Sequence, residues 1–398
     1  MRVNRWHLEH DLRVISKMGV RWLRTEFDWR KLEPVRGQMR FEWFDALVEL
    51  CASMGIRLVP VVTYTPKWMA PRFNVPPEPE PFAELIGALV RRYGHYIKHW
   101  EIWNEANSYF FWIGDAAQYA ALLESAAAAA KRADGESQIL MCGLADPALP
   151  GTDFLFDVLN RTDGRSVDIL NLHAYPGTWN IRTVEEWPSL LLGLRERLRE
   201  VGVDKPLWVT ETGLSSPEGG SREDPLQESY LIRAFASLLG SGVLERVFWY
   251  RLKDEAGKSP EGDRFGLLSQ DTIFGGRKRV YRGYSRLSRT LPSGLGSLAG
   301  AVFKDRPKRA FRAYSSLIGL LGQDFDCISS RFDGGAGSVS LQLPAGPVRI
   351  FWDGRAGMPQ VSVSESAPFV LGAPRRSMSR VSRSHGRRPS KSGITEVK

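Results

Sequence analysis

A strand–helix alternation repeated through two thirds of the chain limits this sequence to a few architectures. Candidate strands are "VRWLRTEFDW" (20–29), "IRLVPVVTY" (56–64), "HWEIWNE" (99–105), "SQILMCGLA" (137–145), "VDILNLHAY" (167–175), "KPLWVTETG" (205–213) and "LERVFWYRL" (244–252). Stretches of helical periodicity at 41–55, 81–94, 115–134, 153–161, 183–202 and 226–242 separate them, and another precedes them at 7–19. Strands joined through helices run parallel, either in a doubly wound sheet or in a closed barrel. No Gly-rich phosphate turn follows any strand, which argues against a nucleotide cofactor. Polar and aromatic residues gather at many strand ends instead: Arg24 to Trp29, Tyr64, Asn104 and Glu105, His173 and Tyr175, Glu211, Trp249. Function spread over several strand ends is a barrel property. The expected fold is α/β, a (β/α)8 TIM barrel.

One strand is lacking in that reading. The chain opens almost directly on the helix 7–19, so "MRVNRW" is either a stub of the first strand or the remainder of a longer start. The barrel is expected over 1–322. The segments "KRVYRGYSRL" (278–287) and "KRAFRAYSSL" (308–317) read as helices of its outer ring. "SVSLQLP", "VRIFWDG" and "QVSVSESAPFVL" alternate with period two between turns, predicting a small antiparallel β unit within 323–372. Residues 373–398, rich in Ser and Arg, read as a disordered tail.

Charge narrows the partners. The net charge is +9, but the tail carries +7 of it, so the body is nearly neutral and no nucleic-acid partner is expected. Three scattered cysteines form no disulfide framework. No apolar run approaches the ~18 residues of a membrane span, and there is no signal-peptide core. The default location is cytoplasmic, or secreted or periplasmic if the start is truncated. The oligomeric state is not legible. His95 and His99 in "HYIKH" have an i, i+4 spacing but no third ligand, so a solvated helix face is expected rather than a metal site.

The stretch "HWEIWNEAN" (99–107) sets two carboxylates in an aromatic run. Period two puts Glu101, Trp103 and Glu105 on one face, with Glu105 at the mouth and Glu101 deeper, as a hydrogen-bonded internal carboxylate. Glu211 in "LWVTETG" also ends an apolar strand, three strands later. Strand ends opposed across a barrel converge, so Glu105 and Glu211 can flank one bond. Two carboxyls about 5–5.5 Å apart are the arrangement of retaining glycoside hydrolysis.

The motifs "WEIWNEAN", "ILNLHAYP", "LWVTETGLS" and "VFWY" resemble the retaining glycoside hydrolases of clan A. The resemblance is greatest to the family 39 type, a branch of β-xylosidases, α-iduronidases and polysaccharide hydrolases, and it covers about residues 7–270. It implies an O-glycosyl hydrolase with a carbohydrate substrate and neither cofactor nor metal. Glu105 would be the acid/base and Glu211 the nucleophile. Asn104 would bind the sugar 2-hydroxyl, Arg24 and Tyr175 would keep Glu211 ionised, His173 would orient a carboxylate or hydroxyl, and Trp249 would floor the subsite. Trp68, with Tyr109, Trp112 and Trp179, would supply sugar platforms in mouth loops. Ala106 stands where the family usually has Pro. A groove lined by Trp68, Trp112 and Trp179 suits an endo-acting hydrolase of a neutral or mixed polymer. The polymer is the expected substrate; the alternative is an exo-β-xylosidase with a closed pocket over Trp249. The alternative of another class is a catalytically impaired carbohydrate-binding protein.

Overall fold

The computed structural model describes residues 5–145, 151–178, 182–216, 225–254, 264–272, 303–321, 326–333, 335–343, 346–354, 358–363 and 369–370. The expected helix at 278–287, Trp179 and the tail 373–398 lie outside them.

Helix α1 (Arg5–Lys17) leads into β1 (Trp22–Asp28), followed by a single turn, α2 (Trp29–Leu32), and α3 (Glu42–Ser53). The alternation continues through β2 (Arg57–Thr63), α4 (Pro79–Tyr93), β3 (His99–Ile102), α5 (Ala116–Ala133), β4 (Gln138–Leu140) and α6 (Gly151–Thr162). It ends with β5 (Leu170–His173), α7 (Trp187–Glu200), β6 (Leu207–Thr212), α8 (Pro225–Gly240) and β7 (Arg246–Trp249). Each strand and helix of the repeating pattern stands where its periodicity placed it. Local chemistry sets the ends: Asp115 and Gln118 form a reciprocal capping box at the start of α5, and proline begins α4.

All pairings among β1 to β7 are parallel, in the orders β1-β2-β3-β4 and β5-β6-β7. Parallel bridges Leu140–Ile169 and Leu144–Leu172 link the two groups. Both faces of these strands are covered, as parallel sheets require: six of the seven residues of β2 are buried. At the N-terminal end of the strands, Trp22, His99, Trp208 and Arg246 pack into an aromatic floor. The His99 ring stacks on Trp208 at 5.4 Å, and the Arg246 guanidinium lies 4.1 Å from the Trp22 centroid. The expectation of a solvated His99 is therefore wrong. Burial, then the charges of Arg246 and Arg57, lower its pKa to about 4.

Beyond β7 lie the antiparallel pair β8 (Leu268–Thr272) and β9 (Phe303–Pro307), then α9 (Arg309–Leu321). An antiparallel meander closes the chain: β10 (Asp326–Asp333), β11 (Ala336–Leu343), β12 (Gly346–Trp352), β13 (Gln360–Val363) and β14 (Phe369–Val370). Val339, Leu341, Val348, Ile350 and Trp352 bury their side chains with Leu231 and Phe235 of α8 and Leu317 of α9 in one apolar cluster. No helix among the described residues is long and apolar enough to cross a membrane.

Candidate active site

The site is built at the C-terminal ends of β1, β3, β5, β6 and β7. Its centre is Arg24, which stands mid-strand rather than at a strand end: it pairs in register with Val59, two rows below the Val61–Glu101 pair. The long side chain climbs to gather three partners. Nε and Nη2 donate to the two oxygens of Glu101 at 2.7 and 2.8 Å, Nη2 also to Asn104 Oδ1 at 2.8 Å, and Nη1 to Glu211 Oε1 at 2.6 Å. Glu101 is fully buried and also accepts from the Gly143 amide at 3.1 Å. It is the internal hydrogen-bonded carboxylate anticipated, but its bidentate grip aims the guanidinium at Glu211.

Tyr175 donates its hydroxyl to Glu211 Oε2 at 2.7 Å, so both carboxylate oxygens of Glu211 accept charged or phenolic donors. Burial alone would raise the Glu211 pKa. The charges of His173 and Arg24 and the hydrogen bonds of Tyr175 and Arg24 outweigh it, and the carboxyl is held below the usual range. His173 Nδ1 lies 2.6 Å from Glu105 Oε1 and 3.6 Å from Glu211 Oε2. Its own burial favours the neutral ring, but the charge of Glu211 and the bond and charge of Glu105 prevail, raising its pKa.

Two backbone irregularities aim these groups. The β5–β6 register shifts between Leu172 and His173, which brings His173 opposite Glu211, and the β6–β7 register shifts between Val209 and Thr212. Such shifts re-aim side chains at sheet ends. Tyr64, Trp103 and Glu105 have φ of +88°, +69° and +43°, a region unfavourable for residues with a Cβ and concentrated at functional sites. The left-handed Trp103 breaks the period-two pattern. Pairing stops at Ile102, and Trp103 turns into the core against Phe82 and Trp112 instead of sharing the face of Glu101 and Glu105.

Glu105 and Glu211 line a cavity of about 1170 Å³, with Arg24, Asn104, Trp249 and Phe110 among its walls. Trp249 is anchored by its indole N–H on the Phe265 carbonyl at 3.1 Å. The expected platforms fare differently. Trp68 does not line this cavity; it bonds the Glu33 carbonyl at 2.8 Å and packs edge-on against Trp29. Trp112 is a core residue, 1% exposed, because its ring fills the space beside Trp103 and Tyr119. Tyr109 is in solvent, 73% exposed.

Gly143 received no role from the sequence, although a lone glycine inside "SQILMCGLA" signals a close backbone approach. A Cβ there would stand 2.0 Å from His173 Nε2. Its carbonyl also accepts from the Glu105 amide at 3.1 Å. Gly143→Ala must displace the imidazole, and a misplacement of that size is expected to lower turnover on the order of 10²-fold. Kinetics beside a thermal melt check this; full activity in a folded variant would show that the ring position is unimportant.

Donor atoms of Glu105, His173 and Glu211 lie within 4.8 Å of one another, a spacing a metal ion could bridge. The chemistry opposes it: the Arg24 guanidinium already neutralises Glu211.

The family model described as β-galactosidase (glycoside hydrolase 42) matches residues 2–78. A β-xylosidase of Caldicellulosiruptor saccharolyticus is 25% identical over 287 residues, 64% of this chain and 57% of that protein. The chain thus spans little more than half of that relative's length. A β-galactosidase of Haloferax lucentense is 39% identical over 69 residues, 16% of this chain and 10% of its own. Among solved structures, a family 39 glycoside hydrolase from Bacteroides cellulosilyticus superposes with a TM-score of 0.66 at 20% identity, covering 88% of this chain and 69% of that one. A family 39 β-xylosidase from Caulobacter crescentus gives 0.58 at 19% identity, with coverages of 83% and 72%. In sequence the chain is similar to clan A glycoside hydrolases over parts of its length, and in fold it is similar to solved family 39 enzymes.

Proposed function

We propose that the chain is a retaining glycoside hydrolase working by double displacement. The observation that carries this reading is the carboxylate pair. Oxygens of Glu105 and Glu211 approach within 4.8 Å on one cavity. That separation belongs to the retaining class, whereas inverting enzymes hold their carboxyls about 6.5–9.5 Å apart to admit a water. Glu211, ionised between Arg24 and Tyr175, attacks the anomeric carbon. Glu105 protonates the departing oxygen, then takes a proton from the water that releases the glycosyl enzyme. Asn104, fixed by Arg24, faces the cavity where the 2-hydroxyl of the bound sugar would lie.

The same reading makes β1 to β7 seven strands of an eight-stranded barrel. Among the described residues, β1 and β7 each have one strand neighbour, and the cavity continues between them past Ile15, Met18, Leu252, Leu267 and Tyr314. We take 1–322 as the catalytic part and 323–372 as a β unit that buttresses α8.

For the substrate we favour short neutral β-glycosides cleaved from one end. An extended tryptophan groove loses its support, since Trp112 is in the core and Trp68 is off the cavity. Release of nitrophenol from aryl β-xylosides or β-galactosides, with no fall in the viscosity of intact polysaccharides, is the expected result of a substrate screen. Proton NMR of the first-formed sugar should show the anomeric configuration of the substrate; an inverted product would sink the mechanism. Binding of oligosaccharides without turnover of any glycoside would favour the carbohydrate-binding alternative.

A further inference from the structure

Directly after Glu105 the chain forms a loop whose backbone is fastened from several sides. The Ser108 amide donates to the Glu105 carbonyl at 2.8 Å, and the amides of Phe111 and Trp112 donate to the Ser108 carbonyl at 3.0 and 2.9 Å. Asn74, whose side chain is buried, gives its Nδ2 to the carbonyls of Tyr109 and Phe110 at 3.2 and 3.1 Å, while its backbone carbonyl accepts from the Ile113 amide at 3.0 Å. The Trp103 indole N–H donates to the Phe111 carbonyl at 3.0 Å. A backbone pinned this way leaves its side chains little choice of direction.

The loop nonetheless presents Phe110 at 67% exposure. The ring is held, not adrift: it meets Phe111 edge-on at 4.8 Å and Phe73 at 6.0 Å. Phe110 and Phe111 both line the cavity that holds Glu105 and Glu211. A ring held by its neighbours yet open at the rim of the cavity is placed to meet a bound group face-on. A preordered ring also loses little conformational freedom when a ligand stacks on it.

We propose that Phe110, backed by Phe73 and Phe111, is the platform on which the leaving group stacks. The protein would thereby select glycosides whose departing part has a flat apolar face, either an aryl ring or the C–H face of an equatorial sugar. This rests on the reading of Glu105 as the acid. The proton donor must stand beside the departing oxygen, so the wall that continues from Glu105 through Phe110 faces the departing group. Glu211 and Tyr175 face the sugar that is retained.

The test compares substrates that share a glycosyl unit and differ in the departing group. Matched pairs are 4-nitrophenyl β-xyloside with β-xylosyl fluoride, and 4-nitrophenyl β-galactoside with β-galactosyl fluoride; xylobiose adds a sugar leaving group. Fluoride offers nothing to stack. In Phe110→Ala the ratio of kcat/KM for the nitrophenyl glycoside to that for the fluoride should fall about tenfold, mostly through KM. Phe110→Trp should restore it. A parallel fall for xylobiose assigns the platform to sugars, and a fall confined to nitrophenyl glycosides assigns it to aryl groups. An unchanged ratio in a protein that hydrolyses both members of a pair overturns the platform alone. Failure of the wild-type protein on every pair overturns the glycosidase reading and the platform with it.

Discussion

Glu211→Ala is expected to lower kcat on every hydrolysed glycoside on the order of 10⁴-fold or more, because the proposed mechanism forms its covalent intermediate on this carboxylate. The fold should survive, since Arg24 keeps its bidentate partner Glu101 and its contact with Asn104. The truncated side chain leaves room for a small anion beside the guanidinium. Azide should therefore restore turnover and be captured as a glycosyl azide of the opposite anomeric configuration, formed by a single displacement. Rescue with that stereochemistry separates a nucleophile from a carboxylate that merely positions substrate. A folded Glu211→Ala protein with near-normal activity and no azide adduct would remove Glu211 from the mechanism.

The parts of this molecule that were legible in the sequence are those governed by short-range regularity. Parallel strands covered on both faces read as apolar runs, and amphipathic helices fall between them, so the order of β1 to β7 could be written from periodicity. Carboxylates ending apolar strands stand out because an uncompensated buried charge is costly, which is how the sequence singles out Glu105 and Glu211. What failed depended on backbone geometry or on contacts distant in sequence. Nothing in "WEIWNE" announces that Trp103 takes a positive φ and turns into the core. Trp68 and Trp112 looked like platforms because they lie in loops at the mouth; whether a loop aromatic faces solvent or packs inward is decided by neighbours such as Trp29 and Tyr119. The aim that Glu101 gives Arg24 spans 77 residues and is invisible to any local pattern.

That pairing leads to the largest expected change in stability. Arg24→Met removes the cation shared by two carboxylates, of which Glu101 has no exposure and only the Gly143 amide left as a donor. Breaking a buried ion pair from one side costs about 3–5 kcal/mol, equivalent to a fall in Tm of roughly 5–10 °C for a large domain. The pH dependence has a definite sign. The folded pKa of Glu211 is lowered, so its contribution is present above the unfolded value of about 4.3 and is lost as pH falls through the folded one. Without Arg24 much of that depression disappears. The deficit of the variant against wild type should then be largest near neutral pH, where Glu211 must be buried charged without its cation or be protonated at a cost. It should shrink towards pH 4 and below, where the unfolded chain protonates Glu211 anyway. Arg24→Lys keeps a cation but cannot grip Glu101 with two parallel bonds while reaching Glu211. It should recover part of the stability and little of the turnover. Thermal melts of the three proteins from pH 4 to pH 8 give the answer. A deficit independent of pH would mean that Arg24 acts through packing, and that the buried network is not what keeps Glu211 ionised.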